Sequence, residues 1–175
     1  MSILTYQEIY LNPGEFYFGE GHLRLSTLLG SCVSITLWHP LRRHGGMCHF
    51  MLDSRGVFMD HLDGKYADEA MALFMHELDE RNTHPAEYEV KIFGGGKMFN
   101  TKQNANDPQD IGSRNVEAAD MLLHRHEFNE AKTRHVGGSG HRRLLFDLWN
   151  GDVWVKYRTV SGAPAGQRSS DVRRP

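Results

Sequence analysis

The sequence predicts an α+β fold in a single domain. Segments with strand-like alternation are concentrated in the first fifty-odd residues, and a hairpin pattern appears near the C-terminus. Two stretches with apolar residues at three- and four-residue intervals lie between them. The chain has 175 residues, enough for one domain with a full core, and nothing in its composition suggests a second. The domain is expected over residues 1–160, followed by a disordered tail over 161–175, where Gly, Pro, Ala, Ser and Arg dominate.

From Ile3 to Phe18 the chain reads as short strands separated by turns, with Ile3, Leu4, Ile9, Tyr10, Phe16 and Phe18 as edge or core residues. Leu23 to Leu29 and Val33 to Trp38 are strand-like, interrupted by Gly30-Ser31. The linker from His39 to Gly46 contains Pro40 and Gly45-Gly46 and reads as a turn into a second strand, Met47 to Leu52. On that strand Met47, His49 and Met51 share one face, and Cys48, Phe50 and Leu52 share the other. A polar loop precedes an amphipathic helix that buries Ala67, Ala70, Met71, Phe74, Met75 and Leu78.

Glu87 to Phe93 alternates as a strand and runs into Gly94-Gly95-Gly96, which lacks the endings of a P-loop or a dinucleotide site. A second helix opens between Asp110 and Ser113 and buries Val116, Ala119, Leu122 and Leu123. Leu144–Trp149 and Asp152–Tyr157 flank Asn150-Gly151, the pair favoured in a type I′ hairpin turn.

A net charge of −2 and a pI near 6.6 argue against a nucleic-acid binder held by phosphate contacts. Two cysteines, with no signal peptide and no long apolar run, lead us to expect a reducing cytoplasm, no direct membrane insertion and no Cys32–Cys48 disulfide. His124 and His126 stand two apart on a helix, without further ligands at suitable spacing, so no metal site is expected.

The chemistry-bearing stretch runs from Leu28 to Leu52 and holds both cysteines. A thiol after Gly-Ser and an imidazole on the next strand can form a nucleophile and its base. Strand alternation pairs His49 with Cys32 rather than with its own neighbour Cys48. An adjacent imidazole or converging amides lower a thiol's pKa from about 8.5, so thiolate is expected at neutral pH. A glycine at position 30 allows a tight bend in which the amides around Gly30, Ser31 and Cys32 surround an oxyanion. Spacing alone does not separate this site from a small buried thiol beside a core histidine.

Thr27-Leu28-Leu29-Gly30-Ser31-Cys32-Val33, followed by Gly45-Gly46-Met47-Cys48-His49-Phe50-Met51-Leu52, resembles the signature of the chemoreceptor glutamine deamidases, the CheD family of bacterial chemotaxis. Lys91-Ile92-Phe93-Gly94-Gly95-Gly96-Lys97-Met98-Phe99 is similar to a further block of that family, with Gly96 where alanine is usual. Ile111-Gly112-Ser113-Arg114-Asn115, and Gly137-Gly138 with Arg142-Arg143, are similar to two more. The four blocks stand in the family's order.

The resemblance implies layered β-sheets flanked by helices, of cysteine-hydrolase type. It implies Cys32 as nucleophile, His49 as base and a hydroxyl to orient the imidazole. Position favours Ser26 for that hydroxyl, with Thr27 as the alternative. It further implies no cofactor. The substrates would be glutamine side chains on the cytoplasmic helices of methyl-accepting chemotaxis receptors, and a CheC-type phosphatase is a possible partner. There are two rival readings: a receptor glutamate methylesterase that uses the same residues, and a non-catalytic adaptor that binds a CheC-type phosphatase or receptors and need not keep them. Two departures from the family pattern are Cys48, where asparagine or alanine is frequent, and His135, where an aspartate is often found.

Overall fold

In the computed structural model, residues 5–57, 59–98, 110–160 and 172–174 are described. Two five-stranded sheets stack face to face, and two helices cover the outer face of one of them. The first sheet has the order β1(Gln7–Tyr10), β3(Leu23–Leu29), β8(Gly140–Asp147), β9(Val153–Thr159), β10(Val172–Arg174). The second has the order β2(Phe16–Glu20), β5(His44–Cys48), β4(Val33–His39), β6(Glu89–Gly94), β7(Thr133–Val136). Most neighbours are antiparallel; β1–β3 and β6–β7 are parallel. The expected α+β class is found, with the sheets layered and the helices to one side.

Alternation in the strands sorts the core into two layers. Val33, Ile35, Leu37, Cys48, Phe50, Val90 and Ile92 face the helices. There they meet Ala70, Met71, Phe74 and Leu78 of α1(Ala67–Glu80) and Ala119, Leu122 and Leu123 of α2(Ile111–Arg125). Phe74 is fully buried and meets Phe16 edge-on at 4.8 Å; burial of such a ring is worth about 2–3 kcal/mol. Leu25, Leu29, Met47, Phe93, Leu144, Phe146 and Val153 fill the seam between the sheets. A residue's parity on its strand therefore decides whether it faces a helix or the opposite sheet. Asp110 caps α2 by accepting from the Ser113 amide at 3.2 Å.

The structure differs from the sequence reading in four places. First, Gly45-Gly46 is not part of the turn but lies within β5, where a Cβ on Gly45 would stand 2.1 Å from the Leu37 carbonyl oxygen. The two glycines let three strands approach closely, and the turn is displaced to the preceding residues, with Arg43 at φ 53°. Second, β5 ends at Cys48 rather than at Leu52, though Val33 and Phe50 still form a bridge.

Third, the hairpin between β8 and β9 closes with Gly151 at φ 80° while Asn150 keeps a negative φ. It is therefore not a type I′ turn, which needs both residues in the left-handed region. The Gly151 amide donates to the Asp147 carbonyl at 2.8 Å, giving a wider loop. Fourth, Val172–Arg174 of the expected disordered tail add to the open edge of β9 as β10; an unpaired strand edge is a template for such pairing. The rest of that tail, 161–171 and 175, lies outside the described residues, as do Ile3 and Leu4.

Candidate active site

Gly30, Ser31 and Cys32 carry the chain from one sheet to the other, because β3 belongs to the first and β4 to the second. Three hydrogen bonds to its carbonyls hold this crossover. The Gly95 amide donates to the Cys32 carbonyl and the Gly96 amide to the Gly30 carbonyl, both at 2.8 Å. From the other side, the side-chain amide of Asn115 donates to the Ser31 carbonyl at 3.1 Å. The Gly94–Gly96 strap reaches so close only because it lacks side chains. A Cβ on Gly94, at φ 111°, would lie 2.1 Å from the Cys32 carbonyl oxygen, which rules out any other residue there.

Cys32 stands one residue before β4 and is half-buried against the seam between the sheets, whereas its neighbour Val33 faces the helices. His49 is buried, with 1% of its surface exposed. Its ring faces the same seam, because Nδ1 lies 2.7 Å from the Thr27 hydroxyl on the opposite sheet. The β4–β5 pairs Thr36–Met47 and Val33–Phe50 share one register, which sets Ser34 across from His49 and Cys32 across from Met51. Cys32 and His49 are then diagonal neighbours on one face of one sheet, a spacing of about 7–8 Å along the backbone.

The hydroxyl on His49 belongs to Thr27, not to the positionally favoured Ser26. Ser26 is on the opposite face of β3 and donates to Glu8 Oε1 at 2.7 Å. Both are fully buried, so burial alone does not tell them apart. Parity does, since Leu25, Thr27 and Leu29 point to the seam and Ser26 does not.

Thr27 also fixes the imidazole's tautomer. Its Oγ1 is 2.7 Å from the Leu11 carbonyl, which can only accept, so the single hydroxyl proton goes there. The contact with His49 must then be donated by Nδ1–H, leaving Nε2 as the bare nitrogen. That Nε2 is buried and has no partner. Among the described residues the other buried side-chain atoms without a partner are Ser34 Oγ, beside His49 in register, and Arg142 Nη1. Arg142, across from Leu29 on β8, also faces the seam.

The electrostatics depart from the expected thiolate. Burial pushes the Cys32 thiol up, and its own backbone amide pulls weakly the other way. Burial also pushes His49 down to about 4, against smaller opposing effects from the Leu11 carbonyl and Glu15. Thiol and imidazole are therefore both neutral at pH 7. Cys48 faces the helix side, fully buried, with its thiol pushed up to about 12 by desolvation and directed at the Ile35 carbonyl.

His135 accepts a 2.7 Å bond at Nδ1 from Arg142 Nε, while the same guanidinium donates to the Gly137 carbonyl at 2.6 Å and lies over the Tyr157 ring. Burial without a carboxylate lowers the Arg142 pKa. In the sequence Asn115 stands only as the last residue of the Ile111–Asn115 block, with no site role given to it. The signal was there, because it falls four and seven residues before Ala119 and Leu122 on the buried face of α2.

The family model described as CheD chemotactic sensory transduction matches residues 51–157. The chain belongs to the CheD family. The matched range includes the Gly94–Gly96 strap, Asn115 and Arg142, while Cys32 and His49 lie before it. Full-length relatives extend the likeness across both. The chain is 45% identical over 166 residues to the "Probable chemoreceptor glutamine deamidase CheD" of Pseudomonas savastanoi pv. phaseolicola, covering 95% of this chain and 93% of that one. It is 49% identical over 164 residues to the "Probable chemoreceptor glutamine deamidase CheD 3" of Dechloromonas aromatica, covering 93% and 94%. Among solved structures, the hypothetical protein YfiH of Bacillus licheniformis is similar at TM-score 0.42 and 13% identity, over 65% of this chain and 46% of that one. No helix of the described residues is long and apolar enough to cross a membrane.

Proposed function

We propose that this CheD-family protein is a chemoreceptor glutamine deamidase, acting in the cytoplasm on glutamine side chains of methyl-accepting receptors. The observation that carries the reading is the Thr27–Leu11 hydrogen bond, because it commits His49 Nδ1 to donation and leaves Nε2 free as a base on the sheet face that Cys32 shares. The names of its close relatives support the substrate class.

In this reading Cys32 attacks the amide carbon while Nε2 of His49 takes the thiol proton. The oxyanion is met by backbone amides of the Gly30–Cys32 crossover. The amide nitrogen leaves as ammonia, taking the proton back from Nε2, and an acyl thioester remains on Cys32. Water then adds to the thioester with His49 as base, which releases glutamate and restores the thiol. Thr27 holds the imidazole throughout and stabilises its cationic form by accepting from Nδ1–H. No step requires a cofactor. A CheC-type phosphatase is proposed as a partner on the family likeness alone.

The test is incubation with a chemoreceptor cytoplasmic fragment, reading ammonia release and glutamine-to-glutamate conversion by peptide mass spectrometry. Wild-type protein should convert specific glutamines, and Cys32→Ala and His49→Ala should not. Equal ammonia release by Cys32→Ala would overturn the assignment.

A further inference from the structure

We propose that Asn115 is the positioning residue of the Cys32 pocket: its side-chain amide bridges the parted ends of two strands and fixes the peptide that presents the Cys32 N–H. The inference rests on the deamidase reading of Cys32 and His49.

The strands carrying Cys32 and His49 separate just beyond Val33 and Phe50, which exchange backbone bonds of 3.1 and 3.0 Å. Past that pair each chain finds other neighbours. The Met51 and Leu52 amides turn to the Lys65 carbonyl at 2.8 and 3.2 Å, while the Gly30 and Cys32 carbonyls accept from the glycine strap. The carbonyls of Ser31 and Met51 are left facing one gap. Asn115 fills it, and its Nδ2 donates to the Ser31 carbonyl at 3.1 Å and to the Met51 carbonyl at 2.8 Å. The two hydrogens of one planar amide thus set the separation of the strand carrying the nucleophile from the strand carrying the base.

The Ser31 carbonyl and the Cys32 N–H are opposite ends of one rigid peptide plane, so a bond that orients the first orients the second. That N–H is the group at the sulfur that favours thiolate, and it is also a donor available to an oxyanion. Asn115 itself has little freedom. It is 1% exposed, and its helix is anchored by Gly112, where a Cβ would lie 2.5 Å from the Gly95 carbonyl oxygen. The helix is tied again by Arg114, which holds Asp53 at 3.1 Å.

The test compares Asn115→Ala, Asn115→Ser and Asn115→Asp with wild type in the full chain. Near-UV circular dichroism reports the fold, iodoacetamide labelling of Cys32 against pH reports the thiol, and kcat and KM are measured on the receptor fragment. In folded Asn115→Ala the labelling midpoint should move to higher pH, and kcat should fall about tenfold or more with KM little changed. Asn115→Ser, which keeps one donor, should fall between. Asn115→Asp should be worse than alanine, because its carboxylate would face two carbonyl oxygens. A labelling profile in folded Asn115→Ala that matches wild type would overturn the proposal. If the alanine variant does not fold, an unchanged profile in Asn115→Ser does the same. Absence of ammonia release by the wild type would instead defeat the deamidase reading, and the labelling comparison would still decide the role of Asn115.

Discussion

Thr27 and His49 sit on different sheets, and the 2.7 Å contact between hydroxyl and Nδ1 joins them across the seam. Few polar contacts in the molecule do as much with one proton. By directing its own hydrogen to Leu11, Thr27 selects the ring tautomer on which the proposed base depends.

Replacing Thr27 with valine keeps volume and β-branching but removes the acceptor for Nδ1–H and the donor for Leu11. Deamidation should fall by roughly 10- to 100-fold, since the imidazole loses its orientation and the support of its cationic form. Stability should fall by about 1–3 kcal/mol from the two buried groups left unpaired. Thr27→Ser should retain most activity. Ser26→Ala should change activity little, because that hydroxyl meets Glu8 on the far face of β3. Receptor assays on the four proteins decide the matter, and a damaging Ser26→Ala beside a harmless Thr27→Val would reverse the assignment.

The choice between those hydroxyls shows where sequence reasoning stops. The helices were legible because their buried residues recur with the helical period, and α1 begins at the first of the expected apolar positions. That His49 and Cys48 face opposite sides followed from alternation along one strand. The β3 pattern carried no such information, since both Ser26 and Thr27 are buried, Thr27 in the seam and Ser26 on the far face of β3 where it meets Glu8. Nor did adjacency in sequence reveal that β3 and β4 enter different sheets, which makes Gly30–Cys32 a crossover rather than a simple bend. Asn115 stands within the Ile111–Asn115 block without a role of its own, because a polar residue on a helix reads as solvated unless its place in the apolar period is counted.

The histidines give the protein a pH signature. The folded-state pKa of His49 is depressed from 6.5 to about 4, so the unfolded chain binds more protons in that interval. Its contribution is fully present above pH 6.5 and is lost as pH falls toward 4, to the extent of roughly 3 kcal/mol. His44, lowered by burial beside His39, Arg81 and Arg42, acts in the same direction. Urea unfolding at pH 7 and pH 4.5 should show a larger fall for wild type than for His49→Asn; equal falls would mean that His49 is not buried as a neutral ring. The acid limb of kcat/KM should correspondingly lie nearer pH 4 than pH 6.5.

Gly112 offers a test in which two rules point in opposite directions. Alanine at a helix position is ordinarily favoured over glycine by about 1 kcal/mol. Here a Cβ would meet the Gly95 carbonyl carbon at 2.7 Å and the Gly96 oxygen at 3.0 Å, both backbone atoms of the strap that holds Cys32. Gly112→Ala should therefore destabilise by about 1–3 kcal/mol. It should also lower activity, because relief of the clash displaces the strap. Thermal melts and the receptor assay read the two effects separately, and a stabilised, fully active variant would show that α2 does not bear on the strap.

The two thiols should part company under alkylation, for reasons of both access and charge. Cys48 is fully buried, its S–H directed at the Ile35 carbonyl, and with a pKa of about 12 it presents at pH 7 only about one thiolate in 10⁵. Cys32 is half-buried at the crossover, so limiting iodoacetamide should label it first, and activity should fall in step with that label. Because burial raises the Cys32 pKa as well, its labelling at pH 7 should be slow and should rise about tenfold per pH unit over the neutral range. A rate independent of pH between about 6 and 8 would instead reveal a preformed thiolate–imidazolium pair, contradicting a neutral His49. Cys48→Ala should remain active and lose about 1 kcal/mol from packing against Phe50 and Ile35. Should Cys48 label first, with its loss tracking inactivation, Cys32 would no longer be the nucleophile and the facing of both strands would have to be reversed.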